Sequence, residues 1–246
     1  MKNFIKTLIR TTAKNKILFL PMGIFARVVI YVIYAIQSSG SGLLVIGFNN
    51  TGRHKVVNLI NKIKREVELL MSTNEAYQIF MAVKRTEKVK GDIVEVGVYK
   101  GGSAKLICEA KGNKTLHLFD TFKGVPKVDE IDAPYFYKGE FAASFENVKN
   151  YLGDYSNVYF YKGLFPVTAK HVKDKKFSFA NFDVDTYEST LDCLKFFYKK
   201  MNKGGIIMSH DYITIPGVTK AFDEFFKDKP EPIIEMYGSQ CLIVKV

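Results

Sequence analysis

Val94-Glu95-Val96-Gly97-Val98-Tyr99-Lys100-Gly101-Gly102-Ser103 joins an apolar run ending in a carboxylate to a glycine-rich turn. Gly91-Asp92-Ile93 before it begins a short β run, and Ala104-Lys105-Leu106-Ile107-Cys108-Glu109-Ala110 after it has the apolar spacing of a helix packed on a sheet. The stretch therefore reads strand, loop, helix. Glycine permits positive φ and leaves no Cβ between the backbone and a ligand, while a helix start offers unpaired N–H groups. Such a turn suits a bound cofactor; a plain tight β–α turn at Gly101-Gly102 is the competing reading.

The spacing is E-x-G-x-x-x-G-G rather than the dinucleotide pattern G-x-G-x-x-G, which argues against NAD. A carboxylate two residues before the first glycine can accept from a cationic amino-acid ligand. S-adenosylmethionine carries an ammonium and a sulfonium that would meet it.

Outward from this stretch the alternation is regular. Two helices come first, over 56–70 and from a Ser72-Thr73-Asn74-Glu75 cap to about Thr86. Strands are then expected over 92–97, 115–120, 157–161, 177–184, 205–209, 232–236 and 241–246, with helices over 102–110, 144–152, 165–172, 187–201 and 217–227. Alternating β and α elements imply a doubly wound, mostly parallel sheet with covered faces. The last two strands are separated only by Tyr237-Gly238-Ser239-Gln240, too short for a helical crossover, so they should form a hairpin with an antiparallel member. Seven strands with that ending suggest a methyltransferase-type sheet.

Asp120 ends the second predicted strand, nineteen residues after Gly101, where an acid of a doubly wound sheet reaches ribose hydroxyls. An ordinary turn-initiating aspartate is the alternative. Residues 123–144 form a long connection containing Tyr135, Phe136, Tyr137 and Phe141, read as a substrate lid. Further on, Asp183-Val184-Asp185 places two carboxylates at the carboxyl end of a strand, where residues i and i+2 share a face. The fifth strand ends nearby in Ser209-His210-Asp211-Tyr212. Three carboxylates and an imidazole at one rim suit a divalent metal that lowers the pKa of a substrate hydroxyl while a neighbouring carboxylate takes the proton. Capping roles compete: Asp185 and Glu188 have capping-box spacing, and Asp211 precedes a turn.

Three cysteines, Cys108, Cys193 and Cys241, sit in apolar runs without C-x-x-C spacing, so buried reduced thiols in a reducing cytosol are expected rather than disulfides or zinc. The net charge of +11 is concentrated at one end: residues 1–65 hold eleven Lys or Arg and no Asp or Glu, leaving 25 basic against 25 acidic residues in the rest. Lys2, Lys6, Arg10, Lys14 and Lys16 precede an apolar run from Ile17 to Ile36, broken by Pro21 and Arg27. A charge near the centre of a membrane span costs about 2.5–3.5 kcal/mol, and no clear cleavage site follows. We expect residues 1–52 to form a helical arm lying on an anionic membrane surface at the inner face, or against a partner subunit such as a second copy; a helix capping the domain is the plain alternative. The catalytic domain is placed from about Arg53 to Val246. The basic residues are not interleaved with a nucleic-acid motif, so nucleic acid is not an expected partner.

Together, E-V-G-V-Y-K-G-G-S, L-F-D-T-F-K-G-V-P, F-D-V-D-T-Y-E-S-T and G-G-I-I-M-S-H-D-Y resemble the macrocin O-methyltransferase family over about Leu69 to Val246. The resemblance implies a class I, Rossmann-like S-adenosylmethionine fold and a Mg²⁺-dependent O-methyltransferase acting on a sugar or glycan. Carried over by position, Glu95, Gly97, Gly101 and Ser103 would line the methionine end of the cofactor, Asp120 would hold its ribose and Thr73 would sit nearby. Asp183 and Asp211 would be metal ligands and Asp185 the general base. The family usually has two aspartates before the tyrosine, whereas this chain has His210-Asp211, which points to Mn²⁺ or another transition metal beside Mg²⁺. Two other readings are a membrane-surface glycosyltransferase using Asp183-Val184-Asp185 and an inactive scaffold subunit.

Overall fold

The computed structural model describes residues 51–246. All but the last two residues of the expected arm, 1–52, lie outside the described residues. Helix α1 (Thr51–Glu66) buries Val56, Val57, Ile60 and Ile63, one stripe at helical spacing. It starts before the predicted Val56 and stops short of Leu70, because Leu69, Leu70 and Met71 turn toward a cavity. Helix α2 (Thr73–Arg85) opens on a reciprocal capping box, in which the Ser72 hydroxyl accepts from Glu75 N–H at 3.2 Å and Glu75 Oε2 accepts from Ser72 N–H at 2.8 Å.

The sheet follows: β1 (Asp92–Val96), α3 (Gly102–Ala110), β2 (Leu116–Asp120), α4 (Phe145–Tyr151), β3 (Val158–Lys162), β4 (Phe177–Phe182), α5 (Tyr187–Phe197), β5 (Met201–Ser209), α6 (Pro216–Phe226), β6 (Ile234–Glu235) and β7 (Cys241–Val244). The predicted helix over 165–172 is a short 3₁₀ helix, Val167–Val172, in a segment whose β-branched residues favour a longer helix poorly. The order is β3-β2-β1-β4-β5-β7-β6. β1 to β5 pair in parallel, and β7 runs antiparallel to both β5 and β6, as the short closing turn requires.

Both faces of the sheet are covered, so the central strands are buried almost throughout and mostly apolar, with Glu95, His117, Ser178 and Asn181 as buried polar exceptions. One core packs Phe177, Phe182, Phe197 and Phe222 under α5 and α6; the other packs Ile79, Ile107, Leu118 and Phe179 under α2 and α3. Burying each large apolar side chain contributes about 1.5–3 kcal/mol before entropy costs. The register aligns Phe119, Val96, Phe182 and Ser209 across four strands. The next residue on each is Asp120, Gly97, Asp183 or His210, so one row at the carboxyl edge carries four of the predicted site residues. Backbone bonds continue this row past the strands: Gly97 N–H to Phe119 O, Asp183 N–H to Val96 O and His210 N–H to Phe182 O, at 2.9, 3.0 and 3.0 Å.

Candidate active site

The strand order reverses between β1 and β4, and ligands of open α/β sheets bind outside the carboxyl ends at such a point. A cavity of about 410 Å³ lies there, within the range of roughly 300–1,000 Å³ usual for small-molecule sites. Gly97, Ser103 and Asp120 line one side, Asp183, Asp185, His210 and Asp211 the other, and Phe136 and Phe141 of the long loop close over it.

Gly97 has φ +86° and lies so close to β4 that a Cβ would stand 1.8 Å from Asp183 O. No other residue fits, and the close approach draws the glycine-rich turn and the acidic segment into one cavity. Asp120 Oδ2 accepts from Val98 and Tyr99 N–H at 2.7 and 2.8 Å, and Oδ1 from Phe122 N–H at 2.6 Å. It therefore orders the turn besides facing the cavity. Gly101 is the left-handed residue before α3 (φ +84°), and an added Cβ there would meet Val148, so its place is in helix packing.

Glu95, Gly101 and Thr73 are not among the lining residues. Glu95 is fully buried, and its Oε1 accepts from Asn181 Nδ2 at 3.0 Å. Burial pushes its carboxyl up to about 8, against the pull of Ser103 and Asn181. Glu95 Oε2 and Asn181 Oδ1 make no hydrogen bond and are two unpaired buried oxygens behind the Gly97–Ser103 wall. Thr73 is buried at the start of α2, within 3.5 Å of Lys64 Nζ.

The acidic rim differs from its prediction in one respect. β4 ends at Phe182, two residues early, and Asp185 adopts φ +63°, so Asp183 and Asp185 do not share a strand face. Asp183, His210 and Asp211 form the close group, with one ligand atom from each lying within 4.8 Å of the others. His210 Nδ1 is 3.0 Å from Asp211 Oδ1 and 3.7 Å from Asp183 Oδ1. Asp185 stands apart on the same cavity wall. It is not a cap, since α5 is preceded by Thr186, whose hydroxyl bonds to Ser189. Asp211 does serve its turn, accepting from the Thr214 hydroxyl at 3.2 Å.

Burial raises Asp183 to about 6, His210 opposes it, and Asp211 and Glu75 reinforce it. Asp185 is raised well above the usual aspartate range by burial and then by Asp183 and Asp211. Burial works against charge on His210, but Asp183, Asp211 and Glu75 outweigh it and lift the imidazole well above its ordinary value. Several crowded carboxylates around one imidazole, with oxygen and nitrogen donors at ligand spacing, fit a divalent cation. Glu75 is the residue sequence reasoning passed over: its capping-box spacing accounts for it locally and conceals that its carboxylate also faces His210, 3.6 Å from Nε2.

Residues 74–238 match the family described as Macrocin-O-methyltransferase (TylF). Demethyldecarbamoylnovobiocin O-methyltransferase of Streptomyces niveus is 30% identical over 157 residues, 56% of this chain and 58% of that protein. The 8-demethyl-8-(2,3-dimethoxy-alpha-L-rhamnosyl)-tetracenomycin-C 4'-O-methyltransferase of Streptomyces olivaceus is 29% identical over 140 residues, 50% of this chain and 54% of that protein. The chain thus spans less than two thirds of these relatives. Among solved structures, the O-methyltransferase NovP superposes with a TM-score of 0.66 at 26% identity, covering 73% of this chain and 83% of its own. With the matched segment running from α2 through β6 and including the acidic rim, the chain belongs to the macrocin-O-methyltransferase family.

Proposed function

We propose that this protein transfers a methyl group from S-adenosylmethionine to a hydroxyl of a sugar or glycan. The observation that carries it is the single cavity shared by the Gly97–Ser103–Asp120 wall and the Asp183–Asp185–His210–Asp211 rim. When bound, S-adenosylmethionine supplies a methyl group activated by its sulfonium. Ser103 and Asp120 offer the donor polar contacts, and Gly97, by letting β4 approach, keeps that wall of the cavity beside the acidic rim. Asp183, His210 and Asp211 would hold a divalent cation, Mg²⁺ or Mn²⁺, which lowers the pKa of a hydroxyl beside it.

Asp185 is the proposed general base. It reaches the cavity without belonging to the close ligand group, which leaves its carboxylate to take the hydroxyl proton. Phe136 and Phe141, with Val125 and Pro126, exclude water from the acceptor side. The tetracenomycin relative's name describes methyl transfer to a rhamnosyl compound, which supports a sugar-linked acceptor here.

Incubating the protein with radiolabelled S-adenosylmethionine, Mn²⁺ or Mg²⁺ and a cell extract should label a glycan or glycoside. Chelation by EDTA should abolish the label and added cation should restore it. Label appearing only in protein or nucleic acid would refute the proposed acceptor class, and full transfer in EDTA would refute the role of the cation. We further propose that residues 1–52 are an arm separate from the catalytic domain, holding it to anionic membrane at the cytoplasmic face; the uncompensated basic residues beside an apolar run support this.

A further inference from the structure

Glu75 completes the α2 capping box through one oxygen, Oε2. Its other oxygen makes contacts that a cap does not need. Oε1 accepts from Ser239 N–H at 2.8 Å and from the Ser239 hydroxyl at 2.9 Å, and it stands 3.6 Å from His210 Nε2. Gly238 clears the space, since a Cβ there would lie 2.5 Å from Oε1. Ser239 also steadies the segment after β5: its hydroxyl oxygen lies 3.3 Å from Asp211 N and its carbonyl accepts from Ile213 N–H at 3.0 Å. One buried carboxylate thus ties the first turn of α2 and the β6–β7 turn to the residues carrying His210 and Asp211. The His210 side chain is 12% exposed, and its Nε2, with no hydrogen bond of its own, faces Glu75, while Nδ1 faces Asp183 and Asp211.

We propose that Glu75 is a positioning residue for the cation site: it holds the His210 ring with Nε2–H toward its own carboxylate, so that Nδ1 is the nitrogen presented beside Asp183 and Asp211. The inference rests on the cation reading given above. An imidazole that binds a metal through one nitrogen generally donates its other N–H to a carboxylate, which fixes ring and tautomer; loss of that partner costs about 10–100-fold in affinity. A nitrogen donor in the set also favours Mn²⁺ over Mg²⁺.

The cap and the positioning role use different oxygens, so they can be separated. The full-length protein is titrated with Mn²⁺ alone, with free ion followed by electron paramagnetic resonance and ligand nitrogen read from pulsed spectra. The wild type should show a coupled nitrogen and bind Mn²⁺ more tightly than Mg²⁺. Glu75→Gln should lose about 10–100-fold in Mn²⁺ affinity. Ser72→Ala, which removes only the hydroxyl cap, should melt earlier and keep its affinity. In a His210→Asp background the nitrogen coupling should vanish, and adding Glu75→Gln should have no further effect on affinity. If Glu75→Gln fails to fold, Ser239→Ala, which removes one donor to Oε1 and also the hydroxyl beside Asp211 N, should weaken Mn²⁺ binding in the wild type and lose that effect in the His210→Asp background.

Unchanged affinity in Glu75→Gln, or in Ser239→Ala where it stands in, overturns the proposal. So does an equal affinity loss in Ser72→Ala, or a Glu75→Gln effect that persists without His210. Wild-type protein that transfers methyl groups but binds no Mn²⁺ overturns it while leaving methyl transfer intact. The expected Mn²⁺ behaviour without any methyl transfer supports the proposal and removes the functional reading instead.

Discussion

Asp185 sits in the left-handed region at φ +63°, a conformation that Asp and Asn tolerate better than other side chains. Asp185→Asn therefore keeps the backbone while removing the proton acceptor. Turnover should fall by about 10²–10⁴, the range for loss of a general base. The variant should melt no lower than wild type, because it relieves repulsion from Asp183 and Asp211. Near-wild-type turnover on the true acceptor removes the assignment. Glu95 gives a second test at the same scale. Its folded value of about 8 lies above the ordinary 4.5, so the folded state binds the proton more tightly than the unfolded chain does. The stability this contributes is fully present below about pH 4.5 and is lost as pH rises toward about 8, a change on the order of a few kcal/mol. Glu95→Gln cannot titrate, so its melting temperature should drop several degrees less than that of wild type between pH 5 and 8.5. Parallel melting curves for the two proteins would show that Glu95 is ionised in the fold.

Among the elements, the join between β1 and β4 is the most constrained. Gly97→Ala places a methyl group 1.8 Å from Asp183 O at a positive φ, so backbone must move. Overpacking of this kind costs about 1–3 kcal/mol or more, with about 1–2 added by the left-handed conformation. Thermal unfolding should show that loss, and calorimetry should show loss of S-adenosylmethionine binding; a variant that melts and binds like wild type contradicts the account. The long loop after β2 is held by Asp132, which is fully buried and accepts from Tyr187 N–H at the start of α5 at 3.0 Å. Asp132→Ala should raise KM for the acceptor more than it lowers kcat, because it frees the segment bearing Phe136 without touching the rim. The strands and α3 were legible because buried parallel strands are apolar runs punctuated by glycine, and the D-V-D and H-D pairs marked their ends. Two things were not. The left-handed turn at Asp185, which ends β4 early, depends on contacts with the rest of the fold. The second role of Glu75 needs Ser239 and His210, more than a hundred residues away in sequence, and a capping box accounts for the same glutamate without them.

At the scale of the whole molecule, charge divides the chain into two parts. Residues 1–52 carry six basic residues and no acid, whereas residues 53–246 hold 30 basic against 25 acidic residues, so positive charge is least compensated in the arm. No helix among the described residues is long and apolar enough to cross a membrane. The proposed hold on a bilayer rests on the arm, through its apolar run and its cations together. Each basic side chain near an anionic surface contributes about 1 kcal/mol, an attraction that fades beyond a Debye length of about 8 Å at physiological salt. Replacing Lys2, Lys6, Arg10, Lys14 and Lys16 by Gln in the full chain should thus weaken binding to phosphatidylserine vesicles by roughly a hundred-fold or more. Sedimentation with the vesicles should fall in parallel at high salt, while binding to neutral vesicles, which depends on the apolar run alone, should change little. Equal sedimentation of wild type and the neutralised chain would assign the arm to a protein contact instead, and methyl transfer to a soluble glycoside should then be the same for both.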